Sequence, residues 1–218
     1  MSIADFLFPC HTCLVCGCEL NAPSNVYLCD ACANTLPTNT KPVTLVDSEQ
    51  TQYFTRAFAP FKYDEPITKL IMQIKYSNNA LIAQTVAPYM AACWSKDNSS
   101  KDYVLVPVPL CAKRLKTRGY NQSKLIASEI AKYLNVPVAE VLIRTKETVV
   151  QKNMSVKQRA DNMRGAFGIT PDARIPRKYI VVDDVFTTGA TANECARILI
   201  KHGAKQVDVL TIARVWYE

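Results

Sequence analysis

The stretch from Tyr179 to Thr191, YIVVDDVFTTGAT, constrains the fold more than any other part of the chain. It opens with an apolar run short enough for a buried strand. Two adjacent carboxylates follow, Asp183 and Asp184, and then a turn rich in hydroxyls and glycine. Beyond the turn, Ala192, Cys195, Ala196 and Leu199 fall at helical spacing and put an apolar stripe toward a core. Gly203 sits where a C-terminal cap belongs.

A strand, a Thr-Thr-Gly-x-Thr turn and a helix start make a good phosphate seat. The first backbone N–H groups of a helix lack intrahelical partners and carry partial positive charge. Gly189 lets the backbone approach closely, and Thr187, Thr188 and Thr191 add hydroxyl donors around Ala190. Asp183 and Asp184 would repel a phosphate, so they suit sugar hydroxyls or a divalent cation nearby. A strand-to-helix turn with an exposed acidic pair has the same spacing. The order of the parts favours a site for a sugar with a terminal phosphate.

At 218 residues the chain is long enough for one medium domain and an appendage. No apolar run approaches the roughly 20 residues of a membrane span, and the first residues lack the pattern of a secretory signal. A cytoplasmic location and reduced thiols are expected. The net charge of +7 is concentrated in the middle: residues 101–165 hold 13 Lys and Arg against 5 Asp and Glu. Such a field attracts a polyanion, either pyrophosphate or a nucleic-acid backbone.

Six of the nine cysteines lie in the first 32 residues. Cys13-x-x-Cys16 and Cys29-x-x-Cys32, with 12 residues between them, have the spacing of a four-cysteine zinc site. Four thiolates leave no open coordination position, so the zinc would be structural. A segment this small needs the metal to fold. Cys10, His11 and Cys18 read as bystanders, although a register using Cys10 or His11 stays open. Residues 1–40 are therefore a zinc module.

Residues 41–100 read as linker, strand and helical hairpin. Arg56 to Tyr63 alternates like a strand weakened by Pro60. Ile67, Leu70, Ile71 and Ile74 form one buried stripe, with Lys69 and Lys75 on a solvated face. The run Ala80 to Trp94 contains Pro88, where a kink or break is expected.

Tyr103 to Leu110 is a buried strand ending in prolines, and ligands in open parallel sheets sit beyond such strand ends. There follow Lys113, Arg114, Lys116 and Arg118, then Gly119 and an amide pair ahead of a helix striped by Ala127, Ile130, Ala131 and Leu134. Arg114 and Arg118 are spaced to grip phosphate oxygens bidentately. Arg144 to Lys152 reads as a loop, and Ser155 with Gln158 as a capping box on a short helix carrying Arg159. A strand is expected at 165–169. A cation-edged loop between two elements suits a lid over an anion, which adds Arg159 to the anion-binding candidates.

The series VPVPL, R-x-x-x-RGYNQS, Q-K-N-M-S-x-x-x-R-x-x-N-M-x-GAF and VVDDVFTTGAT, behind paired C-x-x-C, resembles the ComF/GntX family over nearly the full length. The last motif also resembles the signature of the type I phosphoribosyltransferase fold. That resemblance implies an α/β doubly wound parallel sheet in residues 101–218, with the zinc finger ahead of it. It further implies binding of phosphoribosyl pyrophosphate (PRPP) with magnesium. Asp183 and Asp184 would contact the ribose hydroxyls, and Thr187, Thr188, Gly189, Ala190 and Thr191 would wrap the 5′-phosphate. Pro107 to Leu110 and the next turn would form the pyrophosphate loop, and Thr145 to Arg159 the flexible loop. The family's competence branch further implies natural transformation, with incoming single-stranded DNA and competence-machinery proteins as partners. The chain departs from the pattern at Cys10, His11 and Cys18, and in having Tyr120 in place of phenylalanine. Two functions are compatible: PRPP binding or phosphoribosyl transfer, and nucleic-acid binding with Tyr103, Tyr120 and Tyr133 offering rings to bases.

Overall fold

Short runs up to 152 positions apart in the chain meet in one parallel sheet. The computed structural model describes residues 12–20, 26–39, 43, 51–76, 79–96, 102–147, 155–171, 173 and 178–216. Its strands are β1 (Arg56–Phe58), β2 (Phe61–Lys62), β3 (Tyr103–Pro107), β4 (Leu142–Arg144), β5 (Phe167–Ile169), β6 (Lys178–Phe186) and β7 (Gln206–Arg214). Its helices are α1 (Asp30–Asn34), α2 (Ile67–Tyr76), α3 (Ala80–Ser95), α4 (Ala112–Arg118), α5 (Gln122–Leu134), α6 (Val156–Met163) and α7 (Ala190–Lys201). The sheet order is β1-β7-β6-β3, every pairing is parallel, and β2 continues along β7 beyond β1. Pro60 accounts for that division, because it offers no N–H to the ladder. A separate antiparallel pair joins β4 to β5, so residue 144 belongs to a strand, where a loop is expected from the sequence.

Alternation along β6 sorts its side chains into two layers. Ile180 and Val182 pack with α2, α3 and α5 in one core, which also holds Ile67, Leu70, Ile126 and Ile130. Tyr179 and Val181 face the other core, with Cys195, Ala196 and Leu199 of α7. A strand buried on both faces has to be almost continuously apolar. The same alternation sends Asp183 and Asp184 to opposite sides of the sheet end.

The helix stripes lie where their periodicity puts them. Ile67, Leu70, Ile71 and Ile74 are all buried, each contributing about 1.5–3 kcal/mol relative to exposure. Gly203 adopts φ +104 just past α7, as a C-terminal cap requires. Pro88 behaves differently from expectation: α3 runs through it without a break. Ile82, Ala83, Val86, Ala87, Met90 and Trp94 bury several faces of this helix, and that packing outweighs the backbone bond that proline removes.

The cysteine-bearing segment is docked onto this body. Cys13, Leu28 and Leu36 belong to the same core as Phe61, Ile67 and Met90. The Tyr27 amide donates to the buried Thr85 hydroxyl of α3 at 3.0 Å. Thr38 forms an antiparallel bridge with Phe61 of β2. Cys10 and His11 lie outside the described residues, as do 148–154 of the expected flexible loop.

Candidate functional site

The acid pair and the hydroxyl turn meet at the carboxyl end of β6, beside the end of β3. Gly189 takes φ 86 and caps α7. The Thr188 hydroxyl is buried and accepts from the Ala190 amide at 3.4 Å. The amides of Thr191 and Ala192 have no hydrogen-bond partner among the described residues, which leaves donors for an anion. Asp183, Thr187, Gly189 and Thr191 line one narrow recess with Thr211. Burial and the neighbouring Asp184 push the Asp183 carboxyl up to about 7, although hydrogen bonds from the Asp184 amide and Ser123 work the other way.

The residues RGYNQS form a latch around that pair. The Asn121 side chain caps α5, accepting from the Ser123 amide at 3.0 Å, and donates to the Val108 carbonyl at 3.0 Å. Ser123 donates to Asp183 Oδ1 at 3.0 Å, and Gln122 donates to Asp184 Oδ2 at 3.0 Å. Gln122 in turn accepts from Arg118 at 3.0 Å. The Tyr120 hydroxyl reaches the Ile74 carbonyl at 2.6 Å, tying the latch to α2.

Lys75 corrects a sequence expectation. It does not lie on a solvated face: its ammonium pairs with Asp184 Oδ1 at 3.1 Å. Nothing near Lys75 in the sequence marks it, because its partner comes from a distant strand. Lys75 also lines a cavity of about 480 Å³ with Tyr76, Cys111, Lys113, Arg114, Arg118 and Glu147. Arg114 and Arg118 are therefore brought together, with Arg118 stacked over the Tyr76 ring at 5.3 Å. Arg159 stands apart on α6, which packs against α7, and does not line this cavity. Arg144 is a further cation missed by sequence reasoning. Burial lowers its pKa, and it feels the charges of both Arg114 and Asp183.

Comparison with known proteins agrees with this fold. The phosphoribosyl transferase domain model matches residues 121–215, from the latch through the acid pair to just past β7. Competence protein F of Haemophilus influenzae is 34% identical over 159 residues, 70% of this chain and 69% of that one. The chain belongs to the ComF family. Escherichia coli K12 DNA utilization protein YhgH is 29% identical over 202 residues, covering 90% of this chain and 82% of its own. Streptococcus pneumoniae competence protein ComFC is 28% identical over 159 residues, 72% of this chain and 67% of its own. The fold of this ComF member is thus the phosphoribosyltransferase-type parallel α/β sheet.

This ComF chain also carries a cysteine cluster compatible with a zinc module. The ligand atoms of Cys13, Cys16, Cys29 and Cys32 all lie within 4.8 Å of one another. Cys16 and Cys29 are 3.7 Å apart, close to the ~3.8 Å edge of a tetrahedron with ~2.3 Å zinc–sulfur bonds. Burial disfavours the Cys13 thiolate, but the amides of Cys16, Cys29 and Val15 pull it down to about 6. Burial and neighbouring thiols push Cys32 up. The donor set fits zinc, which would take the place of protons shared among these thiols. Cys18 is not one of the four, although hydrogen bonding to Cys16 and Cys29 pushes its thiol up to about 12. Among the described residues no helix is long and apolar enough to cross a membrane.

Proposed function

We propose that this ComF member binds PRPP with magnesium at the β6–α7 turn and acts in the cytoplasm on incoming single-stranded DNA during natural transformation. The observation that carries the reading is the juxtaposition of two sites. A hydroxyl- and amide-lined recess holding Asp183 lies beside a cavity lined by Lys75, Lys113, Arg114 and Arg118. The turn at this recess suits ribose 5-phosphate, with Asp183 beside the hydroxyls and Thr187 to Thr191 around the phosphate. The cationic cavity suits pyrophosphate, held by Arg114 and Arg118. Magnesium takes few carboxylates and completes its shell with ligand phosphates and water, so the acid pair and the ligand together fit it.

The DNA part of the reading rests on the relatives, whose names refer to competence and DNA utilization, and on the basic middle third. A second reading, transfer of ribose 5-phosphate to an acceptor with release of pyrophosphate, is favoured by the Lys75–Asp184 ion pair, which joins the acid pair to the cationic cavity. Such transfer needs mainly positioning and neutralisation of developing charge.

Calorimetric titration of the zinc-loaded chain with PRPP tests the reading. Magnesium-dependent binding is expected for the native chain, and no measurable binding once Asp183→Asn and Asp184→Asn are combined. A double variant with the native titration curve would remove the proposal.

A further inference from the structure

We infer that the two carboxylates have divided roles: Asp183 alone faces the sugar, whereas Asp184 is a positioning residue that holds Lys75 and Arg118 for the pyrophosphate, making Lys75 an anion-binding residue contributed by the α2–α3 hairpin. This rests on the PRPP reading above and assigns the parts within it.

Three of the four carboxylate oxygens are already committed to protein donors. Asp184 Oδ1 accepts from Lys75 and its Oδ2 from Gln122. Asp183 Oδ1 accepts from the Ser123 hydroxyl and the Asp184 amide. Asp183 Oδ2 alone has no hydrogen bond among the described residues. A ligand hydroxyl can reach Asp183 without displacing anything, but reaching Asp184 means breaking its ion pair with Lys75 or its hydrogen bond from Gln122 at a buried position.

The sheet's alternation leads to the same division. Asp183 shares its face of β6 with Val181 and the α7 layer, and it lines the recess with Thr187, Gly189 and Thr191. Asp184 shares its face with Val182 and the α2, α3 and α5 layer, and it does not line that recess. It therefore points toward the side from which Lys75 and Gln122 arrive.

An ammonium has three donors and no acceptor. One N–H of Lys75 is occupied by Asp184, which leaves two for a phosphate in the cavity that Lys75 lines with Arg114 and Arg118. A free lysine would lose most of its rotamer entropy on gripping an anion. Asp184 restrains it beforehand, and through Gln122 it restrains Arg118 in the same way.

The test uses the two halves of PRPP as separate probes, pyrophosphate and ribose 5-phosphate, titrated calorimetrically at fixed magnesium into the zinc-loaded chain. Asp184→Asn should weaken pyrophosphate at least tenfold and ribose 5-phosphate by less than threefold, with Asp183→Asn giving the reverse pattern. Lys75→Gln should weaken pyrophosphate about tenfold, Lys75→Arg should restore most of it, and Asp184→Asn added to Lys75→Gln should cost less than it does alone. Equal loss of ribose 5-phosphate in both carboxylate variants overturns the division of roles, as does native pyrophosphate affinity in Lys75→Gln. The lysine variants keep the inference exposed should Asp184→Asn fail to fold. Native protein that binds neither probe nor PRPP ends the underlying reading instead, and the inference with it.

Discussion

Asp183 is the residue whose chemistry departs furthest from its free form at the site. Its carboxyl, normally near 3.8, is held at about 7 by burial and by the adjoining Asp184. Between those values the folded chain keeps a proton that the unfolded chain has lost. Stability therefore falls as pH rises from about 4 to about 7, and the penalty is fully present above that window. Asn at 183 keeps an oxygen to accept from Ser123 and the Asp184 amide but cannot ionise. Asp183→Asn is expected to stabilise the ligand-free protein by about 1–3 kcal/mol at pH 8 and to change little near pH 4.5. Urea denaturation at the two pH values checks this, and equal effects at both would mean that Asp183 does not carry the raised pKa. A site residue whose removal improves stability and weakens ligand binding is one the fold retains at a cost.

Elements with local periodicity were legible in the sequence: β3, β6, the α2 and α7 stripes, and the α6 capping box, which forms with Ser155 Oγ accepting from the Gln158 amide at 3.2 Å. The strand–turn–helix unit was legible because strand, turn and helix follow one another without interruption. What stayed hidden depends on partners distant in sequence. Lys75 reads as surface until β6 brings Asp184 to it. Nothing in the sequence marks the buried Asp208 until Arg56, 152 positions away, meets it at 2.7 Å. Pro88 misled because local backbone rules do not register how much of α3 is buried. The cysteine spacing, by contrast, named the four residues that cluster, since each knuckle is local and α1 starts just after Cys29. Because Cys13, Leu28 and Leu36 share a core with α2 and α3, loss of the metal should extend beyond the module. A strong chelator is expected to remove one zinc per chain, lower the melting temperature by several degrees and make the four thiols reactive to a thiol-titrating dye. Cys29→Ser should reproduce the loss of zinc in native mass spectrometry. A metal-free chain melting like the native one would contradict the zinc assignment.

Across the whole molecule, positive charge and exposed rings decide where a nucleic acid would lie. The excess in residues 101–165 places Lys113, Arg114 and Arg118 around one cavity, with Lys75 joining from α2. Tyr103 cannot offer its ring to a base, because it is buried edge-on against Trp94 at 5.0 Å. Tyr76, 70% exposed at the rim of the basic cavity, is better placed for stacking, and Tyr133 remains exposed on α5. A single strand following these cations would release counterions, so affinity should fall linearly on a log–log plot against salt, by roughly 0.7 per phosphate contacted. Fluorescence anisotropy with a labelled oligothymidine should show this slope. Arg114→Ala combined with Arg118→Ala should flatten it by about 1–2, and Tyr76→Ala should weaken binding by about 1–3 kcal/mol with the slope unchanged. Because the same arginines are assigned to pyrophosphate, saturating PRPP should compete with the strand. Salt-independent binding, or a slope untouched by loss of both arginines, would move any DNA path away from this cavity and leave it to the small ligand alone.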